Sequence, residues 1–116
     1  MSRNQFIGAW GEQSAAEYLT KRGCQIIARN ARTPYGEIDI IAKQGGVYLF
    51  VEVKTRTSNK MGFPEEAVTA RKRRHMLMAA DHYAAENGID HWQIDVAAVE
   101  GKPGTRPVIT YFENAL

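Results

Sequence analysis

Two stretches decide the fold, Gly36-Glu37-Ile38-Asp39-Ile40-Ile41 and Phe50-Val51-Glu52-Val53-Lys54-Thr55-Arg56. Residues 37–42 and 47–55 read as strands, and Lys43-Gln44-Gly45-Gly46 joins them as a hairpin. Side chains alternate along a strand. Val47, Leu49, Val51 and Val53 therefore share one face, and Tyr48, Phe50, Glu52 and Lys54 the other. On the first strand Glu37, Asp39 and Ile41 share a face, opposed by Ile38 and Ile40. A two-residue Gly45-Gly46 turn pairs position 44 with 47 and sets Asp39 opposite Glu52. A four-residue loop sets Glu37 opposite Glu52, with Asp39 one diagonal step away. Directly opposed Cβ atoms lie about 5 Å apart and diagonal ones about 7–8 Å. Either even-numbered loop puts the acids on one face, whereas a three-residue loop would flip them apart.

Around this hairpin the pattern is α, β, β, β, α, β, β. A helix over 4–22 ends at Gly23, with Phe6, Ile7, Trp10, Ala15, Ala16 and Leu19 as its apolar and small positions. Residues 25–29 are strand-like, 30–36 form a turn region, and 57–63 a mobile loop. Pro64 suits the first turn of a short helical segment. Thr69 caps a second long helix, 70–87, with Met76, Ala80, Tyr83, Ala84 and Asn87 on one stripe and Gly88 as the stop. Strands over 91–100 and 108–112 flank a turn at 101–104. The expected architecture is α/β, one domain over 1–116, a small mixed sheet with helices packed on it.

The 116 residues carry a net charge of only +2, which shows no basic coat. The charge is segregated, however. Residues 1–36 are net +3, 37–53 net −2, 54–75 net +5 and 76–116 net −4; such segregation gives a directional surface. The single cysteine, Cys24, excludes an internal disulfide and a cysteine-based metal cluster. No apolar h-region follows Met1, and no run approaches the roughly 20 residues of a membrane span. The expectation is a soluble, cytoplasmic protein with no membrane association.

The chemistry concentrates on the hairpin. Asp39, Glu52 and Lys54 converge, with Glu37 nearby. Glu12 joins them from the first helix, where it shares a small apolar stripe with Gly8, Ala15, Ala16 and Leu19 and so points inward. Alternating charge on a strand is usually a solvated face. Like charges opposed across a sheet are destabilising, though, and three or four carboxylates with one lysine in reach call for a cation. Carboxylate oxygens suit Mg²⁺ or Mn²⁺.

These residues also resemble a known arrangement. Asp39 followed by Glu52-Val53-Lys54 on the next strand looks like the acid and (Asp/Glu)-x-Lys core of the restriction-endonuclease-like, or PD-(D/E)xK, nuclease superfamily. Glu12 is similar to the first acid of its Holliday-junction resolvases. The whole chain resembles the YraN-like family of uncharacterised bacterial proteins. The matching stretches are Gly11-Glu12 with Ala15/Ala16 and Tyr18-Leu19, the two hairpin stretches above, Lys72, and Ile94-Asp95-Val96. The superfamily's frequent proline before the first acid is Ile38 here.

The resemblance implies a restriction-endonuclease-like fold and metal-dependent hydrolysis of phosphodiester bonds in DNA, including branched or junction DNA. Asp39 and Glu52 would hold the metal with the backbone carbonyl of Val53, and Glu12 would be a further ligand. Lys54 would orient water or stabilise charge on the phosphate, and Glu37 would hold a metal-bound water or orient the turn. In the run Arg71-Lys72-Arg73-Arg74-His75, cations oppose the dipole of the helix they begin. A solvated face and a phosphate-contacting face are both open for it. In the functional reading Lys72 and Arg73 join Arg56 and Lys60 as nucleic-acid contacts. A homodimer stands by analogy with the resolvases. The alternatives are a non-catalytic nucleic-acid-binding module and a protein-interaction adaptor. Asp95 reads as a cap or salt-bridge residue sooner than a strand-end ligand.

Overall fold

The computed structural model describes residues 2–57 and 69–116. The loop and short helical segment expected between Thr57 and Thr69, and with them Lys60, lie outside the described residues.

The first helix, α1 (Arg3–Lys21), opens on a capping box. Ser2 Oγ accepts the Gln5 N–H, and Gln5 Oε1 accepts the Ser2 N–H. It closes at Gly23 with φ +88°, a conformation that needs glycine. Three strands follow: β1 (Gln25–Thr33), β2 (Gly36–Gln44) and β3 (Val47–Arg56). Then come α2 (Ala70–Glu86), β4 (Trp92–Glu100) and β5 (Val108–Phe112). The Thr69 hydroxyl caps α2 by accepting the Lys72 N–H. The five strands form one mixed sheet in the order β1-β2-β3-β4-β5. All neighbours are antiparallel except β3 and β4, which run parallel because α2 crosses between them.

The order αβββαββ and the mixed sheet are as expected, and two strand ends differ by more than one residue. Lys43 and Gln44 belong to β2, because the connection is the two-residue Gly45-Gly46 turn pairing Gln44 with Val47. β1 runs on through the expected turn region to Thr33, accommodating Asn30 at φ +52°. Asparagine tolerates that conformation better than most residues.

The helices cover opposite faces of the sheet. α1 packs Ala15, Ala16 and Leu19 on Ile40, Ala42, Leu49, Val51, Ala97 and Val99. α2 packs Ala79, Ala80 and Ala84 on Ile38, Ile41, Phe50 and Ile94. Trp10 packs against the first of these clusters and Trp92 against the second, while Phe6 is exposed because it precedes the part of α1 that reaches the sheet.

Gly11 marks the closest approach of α1. A Cβ there would run into the Thr55 side chain on β3. A mid-helix glycine costs about 1 kcal/mol of helix propensity, so it remains because the contact leaves no room. Gly11→Ala is expected to lower stability by about 1–3 kcal/mol, an overpacking cost. Thermal melting checks this, and Thr55→Gly in the same chain should restore the melt.

Candidate functional site

The site lies where β2 and β3 part. Their pairing runs from Gln44–Val47 to Ile40–Val51 and stops there. Continuing the register sets Asp39 opposite Glu52, the two-residue alternative of the sequence reading. No backbone bond joins them. The Val53 N–H, left without a β2 partner, donates to Asp39 Oδ2 at 2.8 Å. A residue's N–H and C=O point to the same side of an extended strand, so the Val53 carbonyl faces the same gap. Regular alternation also breaks here. Ile38 packs under α2 with Ile41, while Ile40 packs under α1. The expected sharing of a face by Ile38 and Ile40 is thus corrected, and the distortion falls opposite Asn30.

Asp39 is the most perturbed acid of the site. Burial first, then the charge of adjacent Glu52 and the more distant charge of Glu12, push its carboxyl up to about 7 against the lowering effect of the Val53 N–H. Burial likewise raises Glu12. The Arg29 charge and a hydrogen bond with Asn30 oppose the shift, and Glu37 and Glu52 add to it. Glu12 is thus half-buried on α1, within range of the charges of Glu52 and Asp39. Glu37 sits at the exposed rim, 4.0 Å from Arg32. Among the described residues, no three or more His, Cys, Asp or Glu side chains stand in a metal-ligating cluster. The expected convergence of three or four carboxylates is therefore reduced to the Asp39–Glu52 pair, with Glu12 and Glu37 felt through their charge.

Two lysines, where one was expected, face that pair. Lys72 Nζ lies 2.9 Å from Glu52 Oε1, and Lys54 Nζ lies 3.6 Å from the same oxygen. Burial, then contact with the Lys72 ammonium, lowers Lys54 below the usual lysine range. Burial also works to lower Lys72, but hydrogen bonds with Lys54 and Glu52 and the charges of Glu52 and Asp39 outweigh it and raise that group. Lys54 is thus, of the two ammoniums, the one that gives up a proton more readily.

Expected at the phosphate-contacting surface, Lys72 turns inward, because it lies four residues before Met76 on the stripe that packs on the sheet. Arg71, Arg73 and Arg74 remain exposed. Arg56 ends β3 on the Glu52–Lys54 side by alternation, and its Nε is buried without a hydrogen-bond partner among the described residues.

A cavity of about 240 Å³ opens beside the acids, lined by Tyr35, Glu37, Asp39, Glu52, Lys72 and His75 among others. Tyr35 and His75 were not singled out in the sequence. Tyr35 was legible only as part of a turn, and His75 only as the end of a basic run. Asp95 is no ligand of this site. Fully buried on the α1 side, it accepts hydrogen bonds from Gln93 Nε2, the Tyr111 hydroxyl and the Asn114 N–H, and so ties the C-terminal residues to β4.

Residues 11–99 match the model of a family described as "Uncharacterised protein family UPF0102". Among curated relatives, a UPF0102 protein of Symbiobacterium thermophilum is 48% identical over 99% of this chain and 98% of its own length. One of Syntrophotalea carbinolica is 45% identical over 94% and 89%. One of Rhodococcus jostii is 42% identical over 99% of both. Among solved structures, SfsA of Pyrococcus furiosus in complex with Ca²⁺ is similar at TM-score 0.40 and 17% identity, covering 91% of this chain and 61% of that one.

Proposed function

We propose that this chain, which belongs to the uncharacterised protein family UPF0102, is a cytoplasmic metal-dependent nuclease of the restriction-endonuclease-like superfamily that hydrolyses phosphodiester bonds in DNA. The observation that carries the reading is the pair Asp39 and Glu52, held side by side at the fork of two strands with Lys54 and Lys72 on Glu52.

The donors fit a divalent ion. Asp39 presents one oxygen to Val53 N–H and keeps the other, Glu52 adds a second carboxylate, and the Val53 carbonyl faces the same gap. Burial first and then the Glu52 charge push Asp39 up to about 7, and a divalent cation beside the two carboxylates would offset both. A bound Mg²⁺ or Mn²⁺ supplies Lewis-acid polarisation of the phosphate and a more acidic water.

The chain's own residues do the rest. Asp39 and Glu52 hold the negative charge of the site in place. Lys54, the lysine of lowered pKa, orients the attacking water and, in its neutral form, takes the proton that this water loses. Lys72 leaves Glu52 for a phosphate oxygen when substrate arrives, and exposed Arg71, Arg73 and Arg74 extend the contact. Branched or junction DNA as substrate, and a homodimer as the active form, belong to the same proposal.

The test is cleavage of labelled single-stranded, duplex and branched DNA, and of RNA, with Mg²⁺ or Mn²⁺. Cleavage should occur with metal and stop in EDTA, and Lys54→Met should slow it by about 10²–10⁴-fold, the range of a lost general acid–base group. No cleavage of any substrate, or equal cleavage by Lys54→Met and Asp39→Asn, overturns the reading. The Lys72–Glu52 ion pair favours one second reading, a binding module that holds nucleic acid without cutting it. Salt-dependent binding that survives Asp39→Asn, with no cleavage, would establish it.

A further inference from the structure

The cavity beside the acids has one wall the nuclease chemistry does not use. Tyr35 stands at the tip of the β1–β2 turn and is 41% exposed, yet it lines the cavity that contains Asp39 and Glu52. An exposed aromatic at a turn tip is ordinarily free to swing, but this turn is held. The Thr33 hydroxyl donates to the Gly36 carbonyl at 2.7 Å and accepts the Tyr35 N–H at 3.1 Å. Gly36 takes φ +124°, open to glycine alone. From the α2 side the His82 ring meets Tyr35 edge-on, centroids 5.9 Å apart. The tyrosine is therefore a preset aromatic wall a short distance from the acids.

We infer that this cavity receives one unpaired nucleobase, stacked on Tyr35, and that the substrate of the site is single-stranded or locally unpaired nucleic acid. The inference rests on the nuclease reading above. A volume of about 240 Å³ falls below the roughly 300–1,000 Å³ of whole small-molecule sites. It suits a single flat base, which a paired strand does not offer. The charges agree with the order of groups along a strand. Lys72 lies on the cavity wall where the adjoining phosphate passes, and Arg71, Arg73 and Arg74 are exposed on the first turns of α2. Those cations oppose the helix dipole, so helix stability does not account for them. Aromatic stacking with a positive track beside it is how proteins hold single strands without reading sequence.

The test is binding of a fluorescein-labelled 12-nucleotide oligothymidylate, and of its duplex with oligodeoxyadenylate, in EDTA at low salt so that no cleavage competes. The parent protein should bind the single strand more tightly than the duplex. Tyr35→Ala should weaken single-strand binding roughly 5- to 150-fold, the range of one lost stacking contact, and erase the preference. Its melt should match the parent's. Tyr35→Phe should keep the affinity. Tyr35→Trp should keep it too, and its added fluorescence should be quenched by the single strand, a readout that does not depend on how well Tyr35→Ala folds. Unchanged single-strand affinity in Tyr35→Ala, no quenching in Tyr35→Trp, or a parent preference for duplex overturns the inference and leaves the nuclease reading standing. A parent that binds neither probe also overturns the inference, and the metal-dependent cleavage assay above then decides the nuclease reading by itself.

Discussion

Asp39→Asn is expected to lose cleavage by on the order of 10³-fold, the loss seen when one preorganised electrostatic group is removed, and at the same time to melt higher than the parent at pH 8. The two effects share one cause. Burial and the neighbouring Glu52 push the Asp39 carboxyl from 3.8 to about 7. An acid raised in the folded state favours folding while it is protonated there. Its stabilising effect is complete below 3.8, falls as pH climbs, and is gone once pH passes about 7. At one pKa unit per 1.36 kcal/mol, the penalty at pH 8 amounts to at most a few kcal/mol. Asparagine carries no charge and keeps an oxygen for the Val53 N–H. The melting difference between variant and parent, measured in EDTA, should therefore be largest near pH 8 and shrink steadily toward pH 4. A difference that ignores pH would show that Asp39 is not buried against Glu52. Added Mn²⁺ should raise the melt of the parent and leave Asp39→Asn nearly unmoved, since the variant lacks both the charge and the repulsion that a cation would relieve.

The stability that Asp39 gives up is legible in the sequence only in outline. Gly45-Gly46 between two alternating runs is a strong turn signal, and its register alone brings position 39 opposite 52. Alternation then places Glu52 and Lys54 on the side of Phe50, as found. Beyond the last backbone pair the argument fails, because a strand that has lost its neighbour is free to twist. Ile38 leaves the face of Ile40, and Asp39 turns to satisfy Val53 N–H. Nothing in the alternation of β2 signals this. The left-handed Asn30 on β1 is a partial sign, since asparagine is the residue that accepts that conformation. Lys72 was legible in principle. The stripe Met76, Ala80, Tyr83 runs back one turn to it, and the Thr69 cap fixes the start of the helix. Its neighbours Arg71, Arg73 and Arg74 mask this, because a charge run reads as a solvated face. Tyr35 and His75 meet at the site through tertiary packing of a turn against a helix, which no local pattern encodes.

Phe50→Ala is expected to cost about 3–5 kcal/mol, the usual penalty for emptying a buried phenylalanine site, from a total that for a domain of this size is about 5–15 kcal/mol. Phe50 is 2% exposed, with its ring centroid 5.8 Å from that of Tyr83 and 5.4 Å from that of Trp92. The residues that α2 buries are alanines, Ala79, Ala80 and Ala84, which bring little area of their own. The helix is held to the sheet chiefly because Phe50 fills the space between them, helped by the partly buried Tyr83 and Trp92. Glu52 follows two residues later on the same side of β3, and the helix that Phe50 anchors carries Lys72. Emptying the Phe50 site should therefore loosen the Lys72–Glu52 pair as well as the core. Urea melts measure the first effect. The second shows as a loss of activity at temperatures where Phe50→Ala is still folded, and Phe50→Leu should recover most of both. Phe6→Ala, at a position 55% exposed, is the control and should change stability by no more than about 0.5 kcal/mol. If Phe50→Ala costs no more than that control, α2 is held by something other than this face. The strand that supplies the core up to Phe50 would then not be what positions the acids and lysines beyond it.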